Sequence, residues 1–143
     1  MASWRDTASQ QAQDDLDGLL NSALPFARQM LDKNGEFFPF AAAVDVHSDT
    51  RMIMGDPDLG ERPPSAEVIA TILQDLQRTR EEFRAVARVA DVRIANSDAV
   101  RVELEHREGP LMAVLLPYKK RRLRGGIEYG DLAATVAAPA VWA

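Results

Sequence analysis

From Leu16 onward the apolar positions Leu16, Leu19, Leu20, Ala23, Leu24, Ala27, Met30 and Leu31 recur at helical spacing. Gly35, directly after Asn34, supplies a stop signal. Pro25 interrupts this pattern, because in a helix it lacks the amide that would bond Asn21 and its ring crowds that carbonyl. Either a kink or a helix restarting behind Ser22 as N-cap satisfies the pattern. Residues 1–13 are polar, Gln-rich and aperiodic, so a flexible arm is expected there and a single domain over 14–142.

Phe40 to His47 reads as a strand, with Phe40, Ala42, Val44 and Val46 on one face and Asp45 and His47 on the other. Ser48 and Asp49 turn the chain into a short partner strand, Arg51 to Met54, and GDPDLGERPP must be a loop. Behind Ser65 as N-cap, Ile69, Ile72, Leu73, Leu76, Phe83, Val86 and Ala87 predict a second helix. Its solvated side would carry Glu81, Glu82 and Arg84, with Arg78 able to meet Glu82. Three strands follow: Arg88 to Ala95, Ala99 to Arg107 and Leu111 to Tyr118. The middle one alternates strictly, Val100, Val102, Leu104 and His106 against Arg101, Glu103, Glu105 and Arg107, so one of its faces is buried and the other wet. A short strand near Ile127 to Tyr129 and an irregular or weakly helical Ala-rich tail complete the chain.

The expected fold is therefore α+β, with element order α-β-β-α-β-β-β: two layers, about five antiparallel strands and both helices on one face. The opposite face would present a polar surface of mixed sign, Asp45, His47, Asp91, Arg93, Arg101, Glu103, Glu105 and Arg107.

Composition narrows the chemistry. The 143 residues include no Cys, which excludes disulfides, thiolate nucleophiles and Cys-ligated metal sites. No run approaches the roughly 20 apolar residues of a membrane span, and the first residues have no basic and apolar leader pattern, so a cytoplasmic protein is expected. The net charge of −5 is uneven, since five of 17 basic residues are Lys119, Lys120, Arg121, Arg122 and Arg124. Such a run could hold phosphate or nucleic acid, and its bland counterpart is a solvated hairpin loop on an acidic body. There is no phosphate-cradling glycine motif beside it.

Asp45, His47 and Asp49 form a D-x-H-x-D pattern, but Asp49 falls in the turn, so a surface turn is favoured over a metal site. Glu103 and Glu105 share a strand face about 7 Å apart, close to some paired catalytic carboxylates. Ion pairing with Arg93, Arg101 and Arg107 accounts for them equally well. His106 is expected to end the core or cap a backbone group. With no assembled acid, base and nucleophile, no catalytic residue, cofactor or metal is assigned. Phe37, Phe38 and Phe40 form either a core corner or an apolar contact patch.

The segments GEFFPFAAAVDV, DVRI, VELEHREG, LPYKK and GGIEYG, in that order, resemble a family of small bacterial α+β proteins without an assigned activity. The resemblance spans roughly residues 14–142 and implies no catalytic residue. The element order also resembles that of roadblock-type domains, dimeric scaffolds that bind small GTPases, in topology alone. The expected function is a non-enzymatic protein-binding module using a strand edge or the polar sheet face, with a homodimer as one form. A nucleic-acid or phosphate-binding accessory protein acting through 119–124 is the alternative, and an immunity-type protein or an enzyme ranks below both.

Overall fold

The structure is a computed structural model that describes residues 8–54, 64–121 and 125–143. Helix α1 spans Gln10–Asn34. It is followed by β1 (Phe40–Asp45), β2 (Thr50–Ile53) and helix α2 (Ser65–Arg78). A single 3₁₀ turn, Arg80–Glu82, leads into β3 (Phe83–Ile94), β4 (Ser97–His106) and β5 (Leu111–Lys120), then β6 (Ile127–Tyr129) and β7 (Ala133–Thr135). The α+β class and the order of the first elements are those the sequence predicts.

Every strand pairing is antiparallel, in the order β2-β1-β3-β4-β5-β6, with β7 also on β5. β6 and β7 extend one bent edge. Tyr118 pairs Tyr129 and Ala113 pairs Thr135, so the register slips by one residue between them. Gly130 sits at that slip, where its amide bonds the Pro117 carbonyl at 2.8 Å and an added Cβ would lie 3.3 Å from the Pro117 ring. A bulge of this kind bends an edge strand and increases its twist.

The two helices lie on opposite faces of the sheet, where a two-layer fold was expected. Leu16, Leu19, Ala23, Ala27 and Leu31 of α1 pack with Phe40, Ala42, Val44, Ala87, Val102 and Val114. Val68, Ile72 and Leu76 of α2 pack with Ala41, Ala43, Val86 and Val141. Alternate residues of β1 therefore feed two separate cores, and all six are buried. The alanines at 41–43 let both helices approach closely. The Ala-rich tail is irregular from 136 onward, as expected, but 133–135 forms a strand and Val141 fills the second core.

Other differences have local causes. α1 begins within the expected arm, because Ser9 caps it by accepting the Ala12 amide at 3.1 Å and Ala12 is buried. Pro25 lies inside one continuous helix, on its exposed side, so no restart at Ser22 occurs. α2 stops at Arg78, which pairs with Asp75 and not with Glu82. Phe83 to Ala87 are strand: the segment FRAVARV satisfies a period of two as well as one of 3.6, and pairing with both β1 and β4 decides it. Val46 and His47 lie past the end of β1.

Candidate functional site

Three polar clusters are built onto this frame. The first lies at the end of the sheet under the start of α1. The register of β1 with β3 shifts between Val44 and Asp45, leaving Arg84 as an extra residue opposite neither. Phe83 consequently packs in the second core and Ala85 in the first, and Arg84 is aimed at α1. Its Nη2 and Nε donate to both oxygens of Asp15, at 2.9 and 3.2 Å, and its Nη1 donates to the Ser48 hydroxyl at 2.8 Å. His106 donates from Nε2 to Asp15 at 2.9 Å while its Nδ1 accepts the Glu108 amide at 3.1 Å, which fixes the tautomer. Asp15, Arg84 and His106 are all buried. Burial raises the Asp15 pKa, but the hydrogen bonds from Arg84 and His106 outweigh it and hold the carboxyl below its ordinary value. Both His106 nitrogens are committed, so the expectation that it ends the core and caps a backbone group describes what it does.

Beside this cluster Asp45 organises the β1–β2 turn. Its carboxylate accepts the amides of Asp49 (3.0 Å) and His47 (2.8 Å) and pairs with Arg51 at 3.1 Å, which keeps its pKa low, the Asp49 amide contributing most. Ser48 takes the left-handed conformation there, with φ of 73°. His47 and Asp49 are exposed. The carboxylate of Asp45 is thus spent on the turn, and among the described residues no group of three or more metal-ligating side chains converges.

The second cluster lies on the α2 face. Glu103 joins Arg88 (3.1 Å) and Arg101 (3.0 Å), and Arg101 also donates to the Val136 carbonyl at 3.0 Å. These side chains rim a partly open cavity of about 140 Å³ walled by Pro39, Ile69, Ile72, Ala90 and Val92. The third cluster is a clamp. The buried carboxylate of Glu105 accepts three consecutive main-chain amides, those of Ala140, Val141 and Trp142, at 2.9–3.2 Å. Gln77 donates to the Ala140 carbonyl from the other side at 2.9 Å. Glu105 therefore holds the tail and, among the described residues, pairs with no arginine, whereas Glu103 takes part in the expected ion pairing.

The expected mixed-sign face divides accordingly. Arg101, Glu103 and Glu105 share the α2 face. Arg93 does not: it is opposite Asp98, whose side of the sheet carries Val100 and α1, and it pairs with Asp98 at 3.4 Å. Asp91 also faces α1, where it accepts the Tyr118 hydroxyl at 2.7 Å. Burial pushes the Asp91 carboxyl and the Tyr118 phenol upward, and the hydrogen bond between them adds to the rise in Tyr118. Of the basic run, Lys119, Lys120 and Arg121 are exposed, and Arg122 and Arg124 lie outside the described residues. Neighbouring strand residues point to opposite faces, and Lys119 stands opposite Glu128, so Lys119 and Lys120 do not make one patch. Phe37 and Phe40 are buried edge to face, with centroids 5.9 Å apart, whereas Phe38 is exposed.

Sequence reasoning missed Asp15, Arg84 and Arg88. Asp15 borders the first apolar position of α1, and Arg84 and Arg88 lie within a segment that reads equally as helix; none stands in a motif.

The fold and these clusters define an antiparallel-sheet α+β protein sandwiched between single helices. No known family model, curated protein or solved structure matches the chain.

Proposed function

We propose that the chain is a non-enzymatic protein-binding module whose contact element is the β2 edge, and that a second copy of the chain is its partner. The observation carrying this reading is that β2 is the last strand on its side of the described sheet and is largely exposed. Met52 lies exposed on it and Met54 exposed just past its end, and its one charge, Arg51, is folded back onto Asp45. An unpaired strand edge offers main-chain donors and acceptors to another strand, and antiparallel pairing about a two-fold axis is self-complementary. In such a pairing Arg51 would meet Met52 of the partner copy, with no like charges opposed. The commitment of both His106 nitrogens supports the non-enzymatic part of the reading.

Light scattering coupled to size exclusion tests it. The expected mass is twice the 15.8 kDa of the chain, falling to one chain on changing Met52 and Met54 together to Glu. A mass of one chain for the unaltered protein at high concentration, or an unchanged dimer in the variant, would overturn it. The alternative, phosphate or nucleic-acid binding by residues 119–124, draws support from the exposure of Lys119, Lys120 and Arg121. Its signature would be binding that weakens steeply with salt.

A further inference from the structure

We infer that the cavity between α2 and the sheet binds a small apolar monocarboxylate, of about the size of benzoate. This site lies on the α2 face and does not depend on the β2 edge. Its volume of about 140 Å³ is close to the roughly 150 Å³ that accommodates a benzene ring in an apolar protein cavity. The walls are hydrocarbon: Ile69 and Ile72 from α2, Ala90 and Val92 from β3, and Pro39 from the approach to β1.

Charge selects the rest of the ligand. Two guanidinium groups, Arg88 and Arg101, share the single carboxylate of Glu103 at the rim, so the cluster carries one net positive charge. A guanidinium offers five N–H donors. Arg88 uses Nη2 on Glu103, and Arg101 divides its Nη2 between Glu103 and the Val136 carbonyl. The remaining donors of both that have no acceptor among the described residues are open to solvent, where a ligand can reach them. Glu103 thereby holds two donor-bearing planes in place beside an apolar hollow, and this preorganisation lowers the entropy lost on binding. A ring against the aliphatic walls with its carboxylate between Arg88 and Arg101 satisfies both halves of the site. A cation would meet net positive charge, and a neutral ligand would gain no charge-assisted bond from the guanidinium groups.

The test is an amide-resolved NMR titration of the full chain with benzoate, benzamide and benzylammonium. The expected result is saturable shifts at residues 88–92 and 101–103 with benzoate at concentrations up to about 10 mM, with benzamide at least about tenfold weaker. Arg101→Met should weaken benzoate at least about tenfold. Ala90→Leu, which fills the hollow and leaves both arginines in place, should abolish the shifts while the remaining spectrum stays folded. Equal binding of benzamide, shifts centred on residues 119–121, full retention of binding by Ala90→Leu, or no saturable response would each overturn the inference.

Discussion

Replacing Asp15 by Ala removes the centre of the buried network that joins α1 to β3 and β4. Arg84, itself buried, loses two charge-assisted bonds and keeps the Ser48 hydroxyl and the more distant charge of Asp45, and the Nε2–H of His106 loses its acceptor. Breaking a buried pair from one side costs about 3–5 kcal/mol, because the surviving charge stays desolvated. A water entering the space left by the carboxylate can satisfy the imidazole donor, so that second loss adds little. The expected destabilisation is therefore about 3–5 kcal/mol, a large part of the roughly 5–15 kcal/mol that holds a domain folded. Urea unfolding at pH 7 measures it, provided the slope of the transition is unchanged. Asp15→Leu combined with Arg84→Met, which removes both charges and fills the space with hydrocarbon, should recover more than half of the loss. Acid gives an independent check. The folded pKa of Asp15 lies below its ordinary value of 3.8, so its stabilisation is fully present above that value and is lost as pH falls through the lower folded one. The gap between the unaltered protein and Asp15→Ala should narrow below about pH 4. A cost under about 1 kcal/mol at pH 7, or a double variant no more stable than Asp15→Ala, would refute this account of the network.

Glu105→Ala should free the tail: hydrogen exchange at the amides of Ala140, Val141 and Trp142 rises sharply, while the strand amides of β3 and β4 stay protected. Asp91 has the opposite linkage to Asp15, since its folded pKa is raised; its contribution is most favourable below 3.8 and is lost as pH rises through the folded value. Asp91→Asn keeps an acceptor for Tyr118 and should flatten that decline, leaving the protein at least as stable at pH 7 by urea midpoint. Gly35 caps α1 at a φ of 73°, so Gly35→Ala should cost about 1 kcal/mol in thermal or urea unfolding. Pro25→Ala restores an amide to the exposed side of α1 and should raise the urea midpoint, by up to about 3 kcal/mol in stability.

Much of the first core was legible in the sequence. The strict alternation of β4 places Val100, Val102, Leu104 and His106 against α1, where they are found. The second core left a weaker trace. The run FAAAV at the start of β1 is continuously apolar, the mark of a strand covered on both sides, but an alternating reading absorbed it equally well. The segment from Phe83 to Val89 fits both periods, and only its partners on either side resolve it. Glu105 shows where a pattern runs out: alternation places it on the α2 face, yet its role depends on main-chain amides 35–37 residues away, which no side-chain periodicity encodes. The bulge that aims Arg84 at Asp15 is likewise a property of register, set by two strands together.

The separation of Asp15 from His106, 91 residues along the chain, fixes the order in which this protein can be completed during synthesis. At translation rates of about 5–20 residues per second, roughly 5–18 s pass between the appearance of the two. For the first 69 residues of that interval Asp15 is without its arginine partner, and until the end of it without its imidazole, while β1 and β3 appear before β4 completes the cover over the apolar stripe of α1. The helix cannot dock early at full strength, because burying its carboxylate before Arg84 and His106 arrive would leave an unpaired charge. Asp15 thus penalises premature collapse of α1 onto an incomplete sheet: its charge is paired once β3 supplies Arg84, and the network closes when β4 brings His106.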